Sequence, residues 1–148
     1  MLDAAKHPSM ANRRSYMLGV IASVHIEEGR LNAAASILKG ALTTSRALGI
    51  AFYDAEIIRL QGRCLLAEDK VKGETAEERF KLALDVARKQ GARSFEVRSA
   101  SDLARLWLSQ GKRQQARELL APVYGWFTEG FETLDLKEAK ALLDELGS

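Results

Sequence analysis

The stretch from Thr75 to Trp126, TAEERFKLALDVARKQGARSFEVRSASDLARLWLSQGKRQQARELLAPVYGW, decides the fold. Gly91 and Gly111 divide it into three segments, and the apolar residues of each segment recur at the three- and four-residue spacing of a helix face. Arg88 precedes the first of these glycines, where a cation complements the negative end of a helix. The stretch therefore predicts three helices separated by two glycine turns.

One spacing of small and bulky residues occurs three times along the chain. Each copy has a small residue, a bulky residue four positions later, a smaller residue three positions after that, and a closing glycine. The leading alanines are 42 and then 40 residues apart (76 − 34 and 116 − 76). A fixed period of this size indicates stacked supersecondary units, in which small residues admit a neighbouring backbone and the bulky residue fills the space. The copies are Ala34, Leu38, Ala41 and Gly49; Ala76, Phe80, Ala83 and Gly91; and Ala116, Leu120, Val123 and Gly130.

A second helical pattern precedes each copy, which makes each unit a predicted helical hairpin. Pairs of residues mark these first helices at Ile21–Ala22, Gln61–Gly62 and Leu103–Ala104. We predict an all-α fold of antiparallel helical hairpins, about three repeats plus a C-terminal capping helix, in a right-handed superhelical stack. The predicted single domain covers 1–148, with an N-terminal arm at 1–11, repeats at 12–49, 52–91 and 94–130, and a capping helix at 135–146.

Local signals place the helix ends. Thr75 with Glu78 predicts a capping box at the start of the fourth helix, and Asp135 with the glutamate three residues later predicts one at the start of the last helix. Pro8 is expected to end any turn that begins near the N-terminus. Pro122 is expected to kink or shorten the sixth helix.

The paired pattern resembles the tetratricopeptide repeat, a family of stacked helical hairpins. The period here is longer than the 34 residues of that family. The usual aromatic of the first helix is kept only as Trp107, and the usual proline at the end of the second helix is absent. What the resemblance implies is a binding scaffold whose inner face is lined by the first helix of each hairpin.

A further resemblance covers roughly the second half of the chain. The segment RLQGRCLLAED, followed by 80–146, is similar to the C-terminal helical repeats of large bacterial signalling proteins. Those proteins join a class III adenylate/guanylate cyclase domain or a winged-helix domain to a predicted ATPase. The resemblance implies a regulatory or sensor module, and it carries no catalytic residue to this chain.

Composition narrows the classes of function. The chain has 148 residues, 47% hydrophobic and 28% charged, with a net charge of +2, which suits one globular domain and argues against nucleic acid as a partner. The single cysteine, Cys64, fits a reducing compartment, and no 18-residue apolar run or signal sequence is present, so we expect a cytoplasmic protein with no membrane partner. Phosphate-loop and dinucleotide motifs and metal-ligand spacings are absent, so we expect no enzyme activity, cofactor or metal site. Cys64 and His25 are predicted to be packed in the core.

The predicted ligand contacts are residues of the first helices that the packing does not use. Because arginine binds carboxylates in a bidentate manner, an acidic peptide or partner protein is the fitting ligand. Alternatively, Arg98 pairs with Asp102 and Arg59 with Glu56, and such exposed pairs have no functional meaning. The predicted groove residues are Tyr16, Ser23, Arg59, Arg63, Arg98, Asp102 and Arg105.

Aromatic residues are densest near the C-terminus, at Tyr124, Trp126, Phe127 and Phe131. They either seat the terminal helix against the fifth and sixth helices or form a dimer or domain interface. Three hypotheses for the whole chain follow from the sequence. It is a protein-interaction scaffold, a small-ligand sensor with a closed pocket in a larger signalling protein, or a chain that self-associates as a homodimer through an uncovered end.

Overall fold

A computed structural model describes residues 8–69 and 72–147 of the chain. The residues that it describes form helices and connecting turns, with no strand among them, so the predicted all-α class is confirmed. The predicted arm at 1–11 overlaps the first helix, and its residues 1–7 lie outside the described part of the chain. The helices are α1 (Pro8–Glu27), α2 (Leu31–Leu48), α3 (Asp54–Glu68), α4 (Gly73–Gln90), α5 (Arg93–Ser109), α6 (Arg113–Gly125) and α7 (Leu134–Gly147).

The chain divides into two compact units, Met1–Ala83 and Leu84–Ser148. The division falls inside α4, and therefore inside the predicted second repeat at 52–91. The first unit contains α1, α2, α3 and the N-terminal part of α4. The second unit contains the rest of α4 with α5, α6 and α7.

The glycine turns follow the prediction. Gly49 adopts a left-handed φ of 67°, and its N–H donates to the carbonyl of Arg46 at 3.2 Å. The next N–H, of Ile50, donates to the carbonyl of Ser45 at 2.9 Å, which completes a Schellman motif. Gly91 ends α4 in the same way, with a φ of 66°. A side chain would strain the backbone at these positions, which explains why glycine ends these helices.

The core of the first unit forms where α1, α2 and α3 pack against one another. Phe80 of α4 is 1% exposed, and its ring lies directly over the backbone of Gly62 in α3. A Cβ at residue 62 would come within 2.6 Å of the ring. This contact is the close approach that the pairing of small and bulky residues predicts.

The core of the second unit forms between α5, α6 and α7, with Leu84 of α4 added. Leu120 lies at its centre and is fully buried, and Leu136 and Leu142 bring α7 onto it. In the two units together, all nine predicted core positions of the repeated spacing are buried. They are Ala34, Leu38, Ala41, Ala76, Phe80, Ala83, Ala116, Leu120 and Val123.

The predicted helix ends have different outcomes. Pro8 begins α1, where the missing N–H of proline costs no helical hydrogen bond, and the turn that it was predicted to end lies outside the described residues. Thr75 is the third residue of α4 and not its cap, because the chain already turns at Asp69, whose carbonyl accepts the N–H of Lys72 at 3.0 Å. α6 ends at Gly125, three residues beyond Pro122, so the proline precedes an early end as predicted.

Two further local predictions have different outcomes. Cys64 is 5% exposed, so its predicted burial is confirmed. His25 is only half-buried, and its Nδ1 accepts a hydrogen bond from Nε of Arg30 at 2.7 Å. The turn at Gly29 brings Arg30 back to His25, so the hydrogen bond between them lies at the C-terminal end of α1. The prediction that His25 packs in the core was wrong.

Candidate functional site

α3 carries two of the predicted groove arginines, and they differ in their surroundings. Arg59 binds Glu56 in a bidentate manner, with Nε to Oε1 at 2.8 Å and Nη2 to Oε2 at 3.0 Å. The two side chains are only 12% and 14% exposed, so this pair is part of the helix surface packing. Arg59 therefore takes the alternative that the sequence offered, an ion pair within its own helix.

Arg63 lies one turn after Arg59 and is exposed. It makes no hydrogen bond or ion pair with any residue in the described ranges. A guanidinium in this state keeps all five of its N–H donors available to a ligand. Arg63 is therefore the groove residue best suited to bind an acidic group.

The predicted residues of α1 lie in the same unit. Tyr16 is 54% exposed, and its ring packs on Tyr53 with centroids 5.6 Å apart. Tyr53 in turn meets the edge of Phe52 at 4.9 Å, and Phe52 is 57% exposed. Ser23 is half-buried and donates its hydroxyl to the carbonyl of Val20 at 3.1 Å. The exposed rings of Tyr16 and Phe52 thus flank the half-buried ring of Tyr53 in an aromatic cluster, which we call the Tyr16 cluster.

Sequence reasoning missed the exposed Phe52 and the half-buried Tyr53 as members of a surface cluster. The predicted second repeat begins at residue 52, but α3 begins only at Asp54, which leaves both rings in the preceding turn. Asp54 itself is buried and accepts a hydrogen bond from Ser45 at 2.6 Å. Two adjacent aromatics directly before an N-terminal acidic residue were the available signal.

In the second unit, two of the three predicted groove residues contact α7. Arg98 donates from Nε to Asp135 at 2.8 Å. Arg105 donates to Asp102 of its own helix at 3.1 Å and lies 3.6 Å from Glu138. Asp135 and Glu138 were predicted to form a cap, yet both carboxylates bind arginines of α5. A ligand at Arg98 or Arg105 would have to compete with α7.

Glu96 is a buried charge that the sequence analysis did not single out. Its side chain is 6% exposed and accepts hydrogen bonds from Arg88 and Arg93, each at 3.0 Å. Arg88 lies at the end of α4 and Arg93 at the start of α5. Glu96 therefore links the two helices on either side of the turn at Gly91. An acidic residue in the first turn of a helix, flanked by arginines on both sides of a glycine, was the signal in the sequence.

The C-terminal aromatic residues divide into packed and exposed members. Phe127 and Tyr124 pack against the core of the second unit, as expected for residues that seat α7. Trp126 is 54% exposed and lies under the guanidinium of Arg93, 4.4 Å from the ring centroid. Phe131 is 43% exposed and packs on Tyr124 at 5.9 Å.

A cleft of about 420 Å³ lies between α2, α3 and α4 in the first unit. Gln61 and Cys64 line it, and the Oε1 atom of Gln61 is buried without a hydrogen-bond partner among the described residues. Burial raises the pKa of the Cys64 thiol, with a further increase from the carboxylate of Glu68. The cleft opens widely to solvent, whereas the small-ligand hypothesis predicted a closed pocket.

Comparison with known proteins does not add a function. No family model matches the chain, and no curated protein matches it significantly. Within the described ranges, three or more histidine, cysteine, aspartate or glutamate side chains do not group as metal ligands. None of the described helices combines the length with the apolar character that crossing a bilayer requires.

Proposed function

We propose that the protein is a non-catalytic interaction module that binds an acidic segment of a partner protein at α3 and the Tyr16 cluster of its first unit. The proposal adopts the repeat arrangement indicated by the sequence, in which α1, α3 and α5 are equivalent first helices. Gly62 and Ala104 are the corresponding small residues of α3 and α5, 42 residues apart (104 − 62). Arg63 and Arg105 directly follow them, so these two arginines are equivalent in that register.

The contacts of Arg105 carry the proposal. Arg105 binds acidic side chains, one of them Glu138 on α7, whose apolar face is buried against the same unit. Arg63 has the same place on α3 but has no partner among the described residues. A carboxylate of a partner protein would give Arg63 the contact that Arg105 has.

The Tyr16 cluster provides the apolar part of such a contact. The rings of Tyr16 and Phe52 are exposed on the N-terminal side of α3, and rigid aromatic side chains lose little entropy when a ligand covers them. Preorganised groups of this kind are typical of interaction surfaces.

The test is selection of binding peptides from a displayed library of amphipathic helices, followed by affinity measurement. We expect acidic peptides to be selected, and Arg63→Glu to weaken their binding about tenfold or more, because a charge-assisted hydrogen bond contributes roughly 1.5–3 kcal/mol. Lys39→Glu on α2 is the matched control, since it makes the same charge change at another exposed cation without a partner in the described ranges.

Arg105 is left unchanged in this experiment because it contacts Glu138 of α7. A substitution there would change the contacts of α7 as well as peptide binding, and the measurement would not separate the two effects. Binding that survives Arg63→Glu at full strength, or falls equally with Lys39→Glu, would refute the proposed surface. Rising salt should weaken wild-type binding, because exposed ion pairs are screened.

The cleft between α2, α3 and α4 supports a second candidate function, recognition of a small ligand in a regulatory tail of a larger signalling protein. Gln61 lines this cleft, and its side-chain amide is a group that can hydrogen-bond a ligand. A thermal-shift screen of metabolites tests this candidate: a ligand-induced shift should disappear in Gln61→Leu. A screen without any shift would remove it.

A further inference from the structure

α1 carries apolar side chains on two opposite faces. One face packs in the first unit through Ala11 and Ala22, which are 7% and 0% exposed. The opposite face is between 41% and 54% exposed. Its members recur at the spacing of one helix stripe and are Met10, Met17, Val20, Ile21 and Val24. We call this stripe the outer face of α1.

The outer face is too apolar for a helix surface that stays in water. A helix that is hydrophobic all round is normally buried. With about half of each of its five side chains exposed, the outer face reaches the few hundred Å² at which an exposed apolar patch marks an interaction site. Its occupant must therefore present an apolar stripe of its own.

The charges at the two ends of α1 indicate which occupant fits. Arg13 lies near the start of the helix and Glu27 at its end, both exposed and beside the outer face. Neither makes an ion pair with a residue in the described ranges. A helix that is basic at one end and acidic at the other is complementary to a copy of itself running in the opposite direction.

We propose that the outer face of α1 is a homodimer interface, in which two copies of α1 pack antiparallel about a two-fold axis at Val20 and Ile21. The axis follows from the sequence positions, because Met17 and Val24 are centred at 20.5 and Arg13 and Glu27 at 20. Met17 then lies opposite Val24 of the partner subunit, and Arg13 lies at the level of Glu27 of the partner subunit. A two-fold axis makes every such contact twice.

The size of the outer face sets the strength of the dimer. Stable dimers bury about 800 Å² on each partner, and one helix face with its flanking charges provides less than that. The dimer is therefore a reversible one, with a dissociation constant in the micromolar range. It differs from the proposed peptide-binding surface in its central residue, since Arg63 lies on α3, and the two surfaces approach each other at Tyr16 of α1.

Sedimentation equilibrium over a range of protein concentrations tests the dimer. Wild type should pass from monomer to dimer as the concentration rises. Ile21→Glu should raise the dissociation constant about 100-fold or more, because it places two charges at the axis. Lys39→Glu, on α2, should leave it unchanged. A wild type that stays monomeric at about 500 μM, or an Ile21→Glu variant that dimerises as well as wild type, would overturn the proposal.

A charge exchange tests the antiparallel direction. Arg13→Glu or Glu27→Arg alone should raise the dissociation constant about three- to tenfold, because each creates two repulsions by symmetry. The double variant should restore it. Each single change places a charge at the end of α1 that the helix dipole favours, so weaker dimers cannot be attributed to a destabilised helix. A double variant that associates no better than the single variants would refute this direction.

Cysteine cross-linking tests the register. Met17→Cys and Val24→Cys should each fail to cross-link alone, since like residues lie about seven helical rises apart, or roughly 10 Å. A mixture of the two should form a disulfide-linked dimer under mild oxidation, because residues 17 and 24 face each other. Wild type controls for the buried Cys64. Cross-linking of either variant alone would indicate parallel helices, and a mixture that forms no disulfide would show that residues 17 and 24 do not face each other; either result would refute the model of the interface.

Discussion

Gly62 and Gly40 both lie inside helices, yet an alanine should have opposite effects at the two positions. At Gly62 a Cβ would overlap the ring of Phe80, which is buried and has no room to move. We expect Gly62→Ala to lower the free energy of unfolding by about 1–3 kcal/mol through overpacking. At Gly40 a Cβ would meet nothing within 4 Å.

We therefore expect Gly40→Ala to raise the free energy of unfolding by about 0.5–1 kcal/mol, because alanine loses less backbone entropy than glycine in a helix. Urea unfolding followed by circular dichroism measures both changes. Equal effects of the two substitutions would show that the contact between Gly62 and Phe80 does not limit the packing of α3 and α4.

At the scale of the helix, α7 shows which contacts hold an element in place. Its leucines are buried, with Leu142 4% exposed, whereas the ion pair of Arg98 and Asp135 is 36% and 25% exposed at its two side chains. Burial of a leucine contributes several times more than a half-exposed ion pair. The ion pairs therefore orient α7, and its apolar face attaches it.

The contributions of leucine burial and of the ion pair to the stability of α7 can be measured separately. Leu142→Ala should lower the free energy of unfolding by about 2–5 kcal/mol, and Arg98→Ala by only about 0.5–1 kcal/mol after allowance for solvent screening. Urea unfolding at low and high salt separates the two, because only the ion pair is screened. A loss with Arg98→Ala as large as that with Leu142→Ala would mean that electrostatics attaches the helix.

The helices also show how far the sequence determines the structure. The spacing of small and bulky residues predicted every buried position that it named, because helical periodicity is local information. It did not predict that Asp135 binds Arg98, since these residues are 37 positions apart and only the packing of α7 on α5 brings them together. Sequence spacing also could not show which face of α1 packs, because apolar residues lie on more than one of its faces. Ile21 was predicted to belong to the packing pattern, yet it is 41% exposed.

In the whole molecule, α4 is the element that both compact units share. It runs without interruption from Gly73 to Gln90, and the division between the units falls at its middle, after Ala83. Phe80 belongs to the first unit and Leu84 to the core of the second, one turn later on the same helix. Loss of helix on one side removes hydrogen bonds on the other, because each turn of a helix supports the next.

We therefore expect the two units to unfold together. Phe80→Ala should lower the free energy of unfolding by about 3–5 kcal/mol through loss of a fully buried ring. Both tryptophans, Trp107 and Trp126, lie in the second unit, so their fluorescence reports on that unit alone, whereas circular dichroism reports on all helices. If α4 couples the units, Phe80→Ala shifts both signals to the same lower urea concentration, as Leu120→Ala in the second unit should. A fluorescence transition that stays at its wild-type position while the dichroism transition moves would show that the units unfold independently, and that the continuous helix does not couple them.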